Sequence, residues 1–343
     1  MQKIVVLCGG FSLERNVSLK SGELIAKSLI RSGFNVAYID LSYGVESDNL
    51  DDLFVSDISE IPSHSIEFKE EEIITIKEFI KTNTSFIGPK VLDICKLADM
   101  TFLALHGSIG ENGVLQDIFD LQGIKYTGSS SLGSKQAMDK HISKKLVSDD
   151  GLLTPKWNLV TDMKQLHVYR GYPYFLKLLE SGSSIGVHLV ESHADLEEIL
   201  PSLANEEGKM MIEEKVFGRE FSVGVLNDLV LPPIEIVTSN RFFDYESKYI
   251  PNKAKETFPD DLQSDVISKL KEITLRIHRL LNLNVYSRID FIMDINLNFY
   301  FLEANTLPGM TPNSLFPKEA LEAGIKFDEL CIRLVNLSME KYI

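Results

Sequence analysis

Asp290, Glu303 and Asn305 are three oxygen-bearing side chains within one short stretch of the chain, and Arg288 stands beside them. The stretch reads as a β-hairpin. Its first arm is SRIDFIMD (287–294), its second FYFLEAN (299–305), with a polar turn between. Strand alternation puts Arg288, Asp290 and Ile292 on one face of the first arm. It puts Phe299, Phe301, Glu303 and Asn305 on one face of the second. A turn centred on Asn296 and Leu297 sets Asp290 opposite Glu303, and Arg288 opposite Asn305. Opposed residues have Cβ atoms about 4.5–5.5 Å apart, where like charges destabilise. A divalent cation offsets two such carboxylates, and three oxygen donors suit Mg²⁺. Solvation at a sheet edge, or pairing with Arg288, offsets them as well, so the hairpin alone leaves both readings open.

The next segment, TLPGMTPNS (306–314), has the Gly and Pro of a tight, backbone-exposing loop. Exposed N–H groups beside a cation can hold a carboxylate or an oxyanion; an ordinary connecting loop has the same composition. Upstream, Lys177 sits at a strand end before the small-residue loop ESGSSIG (180–186). Such a loop can lie over phosphates. The nearest approach to a P-loop, GSSSLGSK (128–135), has Ser134 where the lysine belongs, and no GxGxxG follows the first strand.

The elements that must position these groups fall into two styles. Residues 3–8 read as a buried parallel strand, followed by Gly9-Gly10, a helix over about 16–32 ended by Gly33, and a strand over 34–39. A further strand over 101–105 ends at His106-Gly107. This is the opening of an open α/β sheet, whose ligands sit beyond the carboxyl ends of strands. After about residue 134 the pattern changes. A helix is expected over 138–147, then strands over 174–178, 185–190, 210–215, 220–226 and 229–236, and an amphipathic helix over 262–281. That is an α+β region.

Composition sets the outer bounds. The chain has 343 residues, 44% of them hydrophobic, with 35 basic and 50 acidic residues, a net charge of −15. Such a chain can bury a core, and it lacks the basic excess of a protein that binds nucleic acid mainly through phosphates. Acidity also discourages loose binding to anionic membranes. Cys8, Cys95 and Cys331 are scattered and form no disulfide framework or CxxC pair, as in a reducing compartment. The Ile4–Cys8 run is too short for a secretion signal. A cytoplasmic protein without nucleic-acid or membrane partners is the expectation.

Eight segments in order, GGFSLERNVSLKSG (9–22), LHGSIGENG (105–113), MDK (138–140), ESGSSIG (180–186), EEKVFGREF (213–221), FDYESKY (243–249), SRIDF (287–291) and LEANTLPGMTPNS (302–314), resemble the D-alanine–D-alanine ligase family of the ATP-grasp superfamily. The resemblance runs over nearly the whole chain. It implies an α/β N-terminal domain (1–134) followed by α+β ATP-grasp central (135–215) and C-terminal (216–343) domains. It also implies ATP-dependent joining of two D-alanines through an acyl phosphate, for peptidoglycan precursors, by a homodimer.

By matching positions, Lys140 and Lys177 are expected to hold ATP phosphates, with Lys248 near the nucleotide and the second D-Ala. Glu213, Glu214 and Val216 are expected at the adenine and Glu220 at the ribose. Asp290, Glu303 and Asn305 are expected to bind two Mg²⁺ ions, with Mn²⁺ as a substitute. Arg288 and the Gly309 N–H would stabilise the tetrahedral oxyanion. Glu14 would pair with the first D-Ala's ammonium, and Ser183 and Tyr249 would bond to Glu14 and to each other. Ser314 and the Leu315 N–H would take the second D-Ala's carboxylate, with His106 near that subsite or serving structure alone. Two departures stand out: Leu178 replaces the proline common after the phosphate lysine, and Ser181 replaces a commoner charged or Ala residue. D-Ser as second substrate stays open, as do another carboxylate–amine ligation and a catalytically inactive nucleotide sensor.

Overall fold

The computed structural model describes residues 1–66, 85–162, 164–169, 171–180, 182, 186–203, 208–238 and 254–343. The chain opens with three strands, β1 (Lys3–Cys8), β2 (Asn35–Asp40) and β3 (Met100–Leu103), in parallel order β2–β1–β3. The central strand is continuously apolar because it is covered on both faces, and Ile4 to Cys8 are fully buried. Gly9 and Gly10 follow with φ of 73° and 75°, a left-handed pair that turns the chain sharply off the strand. That turn delivers Glu14 as the N-cap of the Arg15–Arg31 helix. The Phe327–Glu340 helix, last in the chain, packs against Arg15–Arg31, and Arg31 meets Asp328 at 2.5 Å.

Both later sheets are antiparallel, as the α+β pattern predicts. In the second, β4 (Trp157–Val160), β5 (Tyr174–Leu178), β6 (Val187–Val190) and β7 (Met210–Glu214) lie in the order β4–β7–β5–β6. The third holds β8 (Arg219–Leu226), β9 (Leu229–Val230), β10 (Ile234–Thr238), β11 (Ala254–Thr257), β12 (Tyr286–Met293) and β13 (Phe299–Asn305). Its order is β11–β10–β8–β12–β13, with β9 paired to β8. The Ser264–Leu280 helix covers one face, inserting Val266, Leu270 and Ile277.

Three expectations change. The single helix over 138–147 is two, Ser131–Met138 and Lys140–Asp149. Asp139 breaks them: its carboxylate accepts from the N–H groups of His141 (2.8 Å) and Ile142 (3.0 Å), which makes it an N-cap. The strand over 229–236 is split, because Pro232-Pro233 cannot donate to a ladder. The hairpin carries the third change. Asp290 faces Glu303 and Arg288 faces Asn305 as the alternation requires, but the register shifts after Asp290, so that Phe291 faces Phe301. Leu302 is the extra residue of a β-bulge. Phe299 and Phe301 therefore do not share a face with Glu303 and Asn305. The two phenylalanines join the core under the sheet, while Glu303 and Asn305 line open cavities on the other side.

Candidate active site

Two cavities meet at this hairpin. The first, of about 490 Å³, lies between the second and third sheets. The second, of about 320 Å³, lies between the third sheet and the loops that follow β1 and β3. Asp290 and Glu303 line the first, and Arg288 and Asn305 the second. One antiparallel register thus distributes four polar side chains between two chambers.

The first cavity contains Lys140, Lys177, Glu213, Glu214, Val216 and Glu220 in its wall. The break at Asp139 aims Lys140 inward. Its side chain is buried, and Nζ lies 3.5 Å from Glu303 Oε2. Burial pushes the Lys140 ammonium down from its ordinary range, with Glu303 opposing. Lys177 donates to Glu213, which also meets Lys144 Nζ at 2.6 Å. Glu213 is 1% exposed. Burial alone would raise its carboxyl, but the two lysines more than offset that and hold it low. The Glu213 side chain is thereby committed to lysines, whereas Glu214 is exposed toward the cavity. Lys144 carries no signal in the sequence, since it lies one helical turn beyond Lys140 in a run of polar residues. Leu178 N–H donates to the Gly186 carbonyl at 3.1 Å, a bond that proline could not make.

Asp290 is 7% exposed and fully engaged. It accepts from Arg288 Nε (3.0 Å) and Nη2 (2.8 Å), Ser222 Oγ (2.9 Å) and Asn305 Nδ2 (3.3 Å). Pairing with Arg288 is therefore present for Asp290, while Glu303 is partly exposed on the edge strand β13 and faces Lys140. The donor set still fits a hard cation: two carboxylates and an amide converge on one face, all through oxygen. Among the described residues no group of three His, Cys, Asp or Glu forms a metal cluster, which leaves this mixed set as the candidate.

Charged groups line the second cavity on two sides, and Glu256, paired with Lys318, stands in its wall as well. Glu14 and Glu111 come from the loops beyond β1 and β3. Glu14 Oε2 packs between Gly107 and Gly182, where a Cβ on either would come within 3.1 Å of it. Burial, with Glu14 nearby, pushes the Glu111 carboxyl up to about 8. Glu111 lies inside the LHGSIGENG motif, yet spacing alone assigns it no role. Across the cavity stand Arg288 and the first turn of the Leu315–Glu322 helix. Ser314 is the N-cap of that helix and makes no side-chain cap bond; its Oγ accepts from Thr311 N–H at 3.1 Å. A Cβ on Gly309 would press on Ser314 Oγ. Ser314, Leu315 and Gly309 all line the cavity.

His106 is 6% exposed, in the wall of the same cavity. Nδ1 lies 3.1 Å from the Leu307 carbonyl, which can only accept, so Nδ1 carries the proton and Nε2 (3.3 Å from Ser21 Oγ) accepts. Burial lowers its pKa, keeping the ring neutral. Both ring nitrogens are tied to protein. Ser183, Tyr249 and Lys248 lie outside the described residues, as does Ser181.

Comparison with known proteins identifies the family. Residues 3–129 match the family model for the D-Ala–D-Ala ligase N-terminus, and residues 147–336 that for its C-terminus. The D-alanine–D-alanine ligase of Pediococcus pentosaceus is 38% identical over 341 residues, covering 97% of this chain and 96% of the relative. The crystal structure of the D-alanine–D-alanine ligase from Bacillus anthracis complexed with ATP superposes with a TM-score of 0.74 at 27% identity, covering 99% of this chain and 97% of that one. The VanG D-Ala:D-Ser ligase of Enterococcus faecalis gives a TM-score of 0.75 at 26% identity, covering 98% and 99%. The chain belongs to the D-alanine–D-alanine ligase family.

Proposed function

We propose that this chain joins two D-alanines, with ATP as co-substrate, to D-alanyl-D-alanine for peptidoglycan synthesis. The observation that carries the reading is the hairpin register, which sends Asp290 and Glu303 to one cavity and Arg288 and Asn305 to its neighbour. A phosphoryl donor in the first and an amino acid in the second would meet at these four residues. The charge arrangement of the second cavity, acids on one side and a guanidinium with a helix N-terminus on the other, suits a zwitterion.

In the first cavity Lys140 and Lys177 hold the phosphates, the β7 end from Glu214 to Val216 receives the adenine, and Glu220 accepts from the ribose. Glu213 acts here by anchoring Lys177 and Lys144. A divalent metal is typical of such ATP-dependent ligases. Asp290, Glu303 and Asn305 would hold two Mg²⁺, or Mn²⁺, supplying charge neutralisation at phosphate oxygens. Glu14 binds the first D-Ala's ammonium, with Ser183 and Tyr249 as the partners the family resemblance implies, and so presents its carboxylate to the γ-phosphate. That carboxylate attacks phosphorus, ADP leaves, and an acyl phosphate forms. Ser314 and the Leu315 N–H, with Lys248 and His106 nearby, hold the second D-Ala by its carboxylate. Its deprotonated amine attacks the acyl carbon. Arg288 and the Gly309 N–H stabilise the oxyanion, and the C–O bond to phosphate breaks as the peptide forms.

Phosphate release from ATP with D-Ala, D-Ser and D-lactate tests the reading. Turnover with D-Ala alone as both substrates supports it; turnover that requires D-Ser favours the second reading, suggested by the likeness to a D-Ala:D-Ser ligase. Turnover with none sinks both. Under the proposed division into 1–134, 135–215 and 216–343, the described strands of each domain form a single sheet. No described helix is long and apolar enough to cross a membrane. A cytoplasmic homodimer follows from the family resemblance, and light scattering checks the dimer.

A further inference from the structure

Behind Arg288 lies a buried acid that the proposed chemistry does not use. Glu319, on the Leu315–Glu322 helix, is 0% exposed and makes no ion pair among the described residues; the polar groups at its carboxylate are the Gly224 N–H and Ser222. Glutamate is almost never fully buried without a partner. Its room comes from Gly224, where a Cβ would collide with Glu319 Oε2. Gly224 stands opposite Arg288 in the β8–β12 ladder, and two residues along, Ser222 stands opposite Asp290. Opposed residues share a face of the sheet. Glu319 therefore packs on the same face as the guanidinium, on its protein side, while Arg288 itself lines the second cavity.

Arg288 gives two bonds to Asp290, which is also a candidate cation ligand. The two uses compete for the same oxygens. A guanidinium released from Asp290 would be a buried charge in need of a partner, which is costly. Glu319 lies close enough that its ionised form would favour the Arg288 guanidinium.

Resting on the function proposed above, we propose that Glu319 is a positioning residue that takes over the Arg288 guanidinium when Asp290 turns to the cation. It thereby frees Asp290 and keeps Arg288 aimed into the second cavity. While Arg288 stays on Asp290, burial pushes the Glu319 carboxyl up to about 8, so it keeps its proton at neutral pH. Glu319→Gln copies that protonated form but cannot become a counter-ion.

The test measures ADP binding by calorimetry across a Mg²⁺ titration, and phosphate release with D-Ala, for the parent, Glu319→Gln and Glu319→Leu. The Mg²⁺ concentration for half-maximal ADP binding is expected to rise about tenfold in both variants, as when a ligand's supporting partner is lost. kcat should fall about tenfold while KM for ATP at saturating Mg²⁺ stays within about twofold. The melting temperature of Glu319→Gln without ligands should not fall. A Mg²⁺ midpoint within about twofold of the parent in Glu319→Gln overturns the inference, whatever happens to kcat. Loss in Glu319→Leu alone also overturns it, since that is packing. If Glu319→Leu does not fold, Glu319→Gln decides. If the parent releases no phosphate with D-Ala, the substrate reading fails, and the Mg²⁺ titration still decides the role of Glu319.

Discussion

Glu213→Gln removes a carboxylate held between two lysines while keeping its shape. Lys144 is completely buried and lies 2.6 Å from Glu213 Oε2. Without the charge, Lys144 keeps only Thr154 Oγ1 at 2.8 Å and the Phe301 carbonyl at 3.4 Å, while Lys177 still faces it. Breaking a buried pair by removing one partner costs about 3–5 kcal/mol. Unfolding entropy of roughly 2.1 cal/mol/K per residue, over 343 residues, comes to about 0.7 kcal/mol/K. Cooperative unfolding of the whole chain would then lower the melting temperature by about 4–7 °C. The pH dependence is a second signature. Burial has already pushed Lys144 down to about 8, below its ordinary 10.5, and Glu213 opposes that fall. Losing Glu213 depresses the folded-state pKa further, so the unfolded chain binds more protons and stability rises with pH in that window. Calorimetric melting should therefore show a deficit at pH 7 that shrinks by about pH 9. A variant that melts within about 1 °C of the parent at pH 7, or whose deficit grows with pH, refutes the reasoning. Lys177 would also lose its anchor, so KM for ATP is expected to rise.

Glu303→Ala should abolish phosphate release and leave the fold intact, because Glu303 faces a cavity and not the core, although buried Lys140 loses its carboxylate partner and melting falls by a few degrees; retained turnover with Mg²⁺ counts against the metal assignment. His278 is buried, with Nδ1 2.8 Å from Ser287 Oγ, and burial pushes its pKa down from 6.5 to about 4. The folded state thus binds fewer protons between these values. Stability present above pH 6.5 is lost as pH falls to 4, by about 3 kcal/mol at 1.4 kcal/mol per pH unit. His278→Gln should flatten that limb of a melting-temperature profile, and an unchanged slope would rule His278 out as its source. Gly224→Ala drives a methyl into Glu319, Leu231 and Phe316, and overpacking of this kind costs about 1–3 kcal/mol; a denaturation midpoint equal to the parent's would show that the helix above shifts freely.

The pairing of Asp290 with Glu303 was legible because alternation and turn length together fix a hairpin's register near its ends. The bulge at Leu302 was not, since Leu302 carries no mark of unusual backbone. The signal lay elsewhere: a face with Phe299 and Phe301 at one end and Glu303 and Asn305 at the other is inconsistent unless the strand turns over. Asp139 likewise reads as an ordinary helical acid until its carboxylate is seen capping. The motif residues around Lys140, Glu14 and Arg288 were found because they lie in contiguous segments. Lys144 and Glu319 face residues distant in sequence, Glu111 meets the nearby Gly107 N–H, and no local pattern distinguishes the three from solvent-facing charges. For Glu319 the space depends on a missing Cβ 95 positions earlier, at Gly224.

The last helix bears on how the chain is made. Leu330, Cys331, Leu334 and Val335 share one core with Ile4–Cys8, Ile25 and Leu29. During synthesis, the first sheet emerges from the ribosome long before the residues that seal it. The first sheet must wait for the Phe327–Glu340 helix, holding an unsealed apolar face through the synthesis of everything between. A chain cut anywhere between the first sheet and Phe327 would thus be defective at that sheet as well as at the cut.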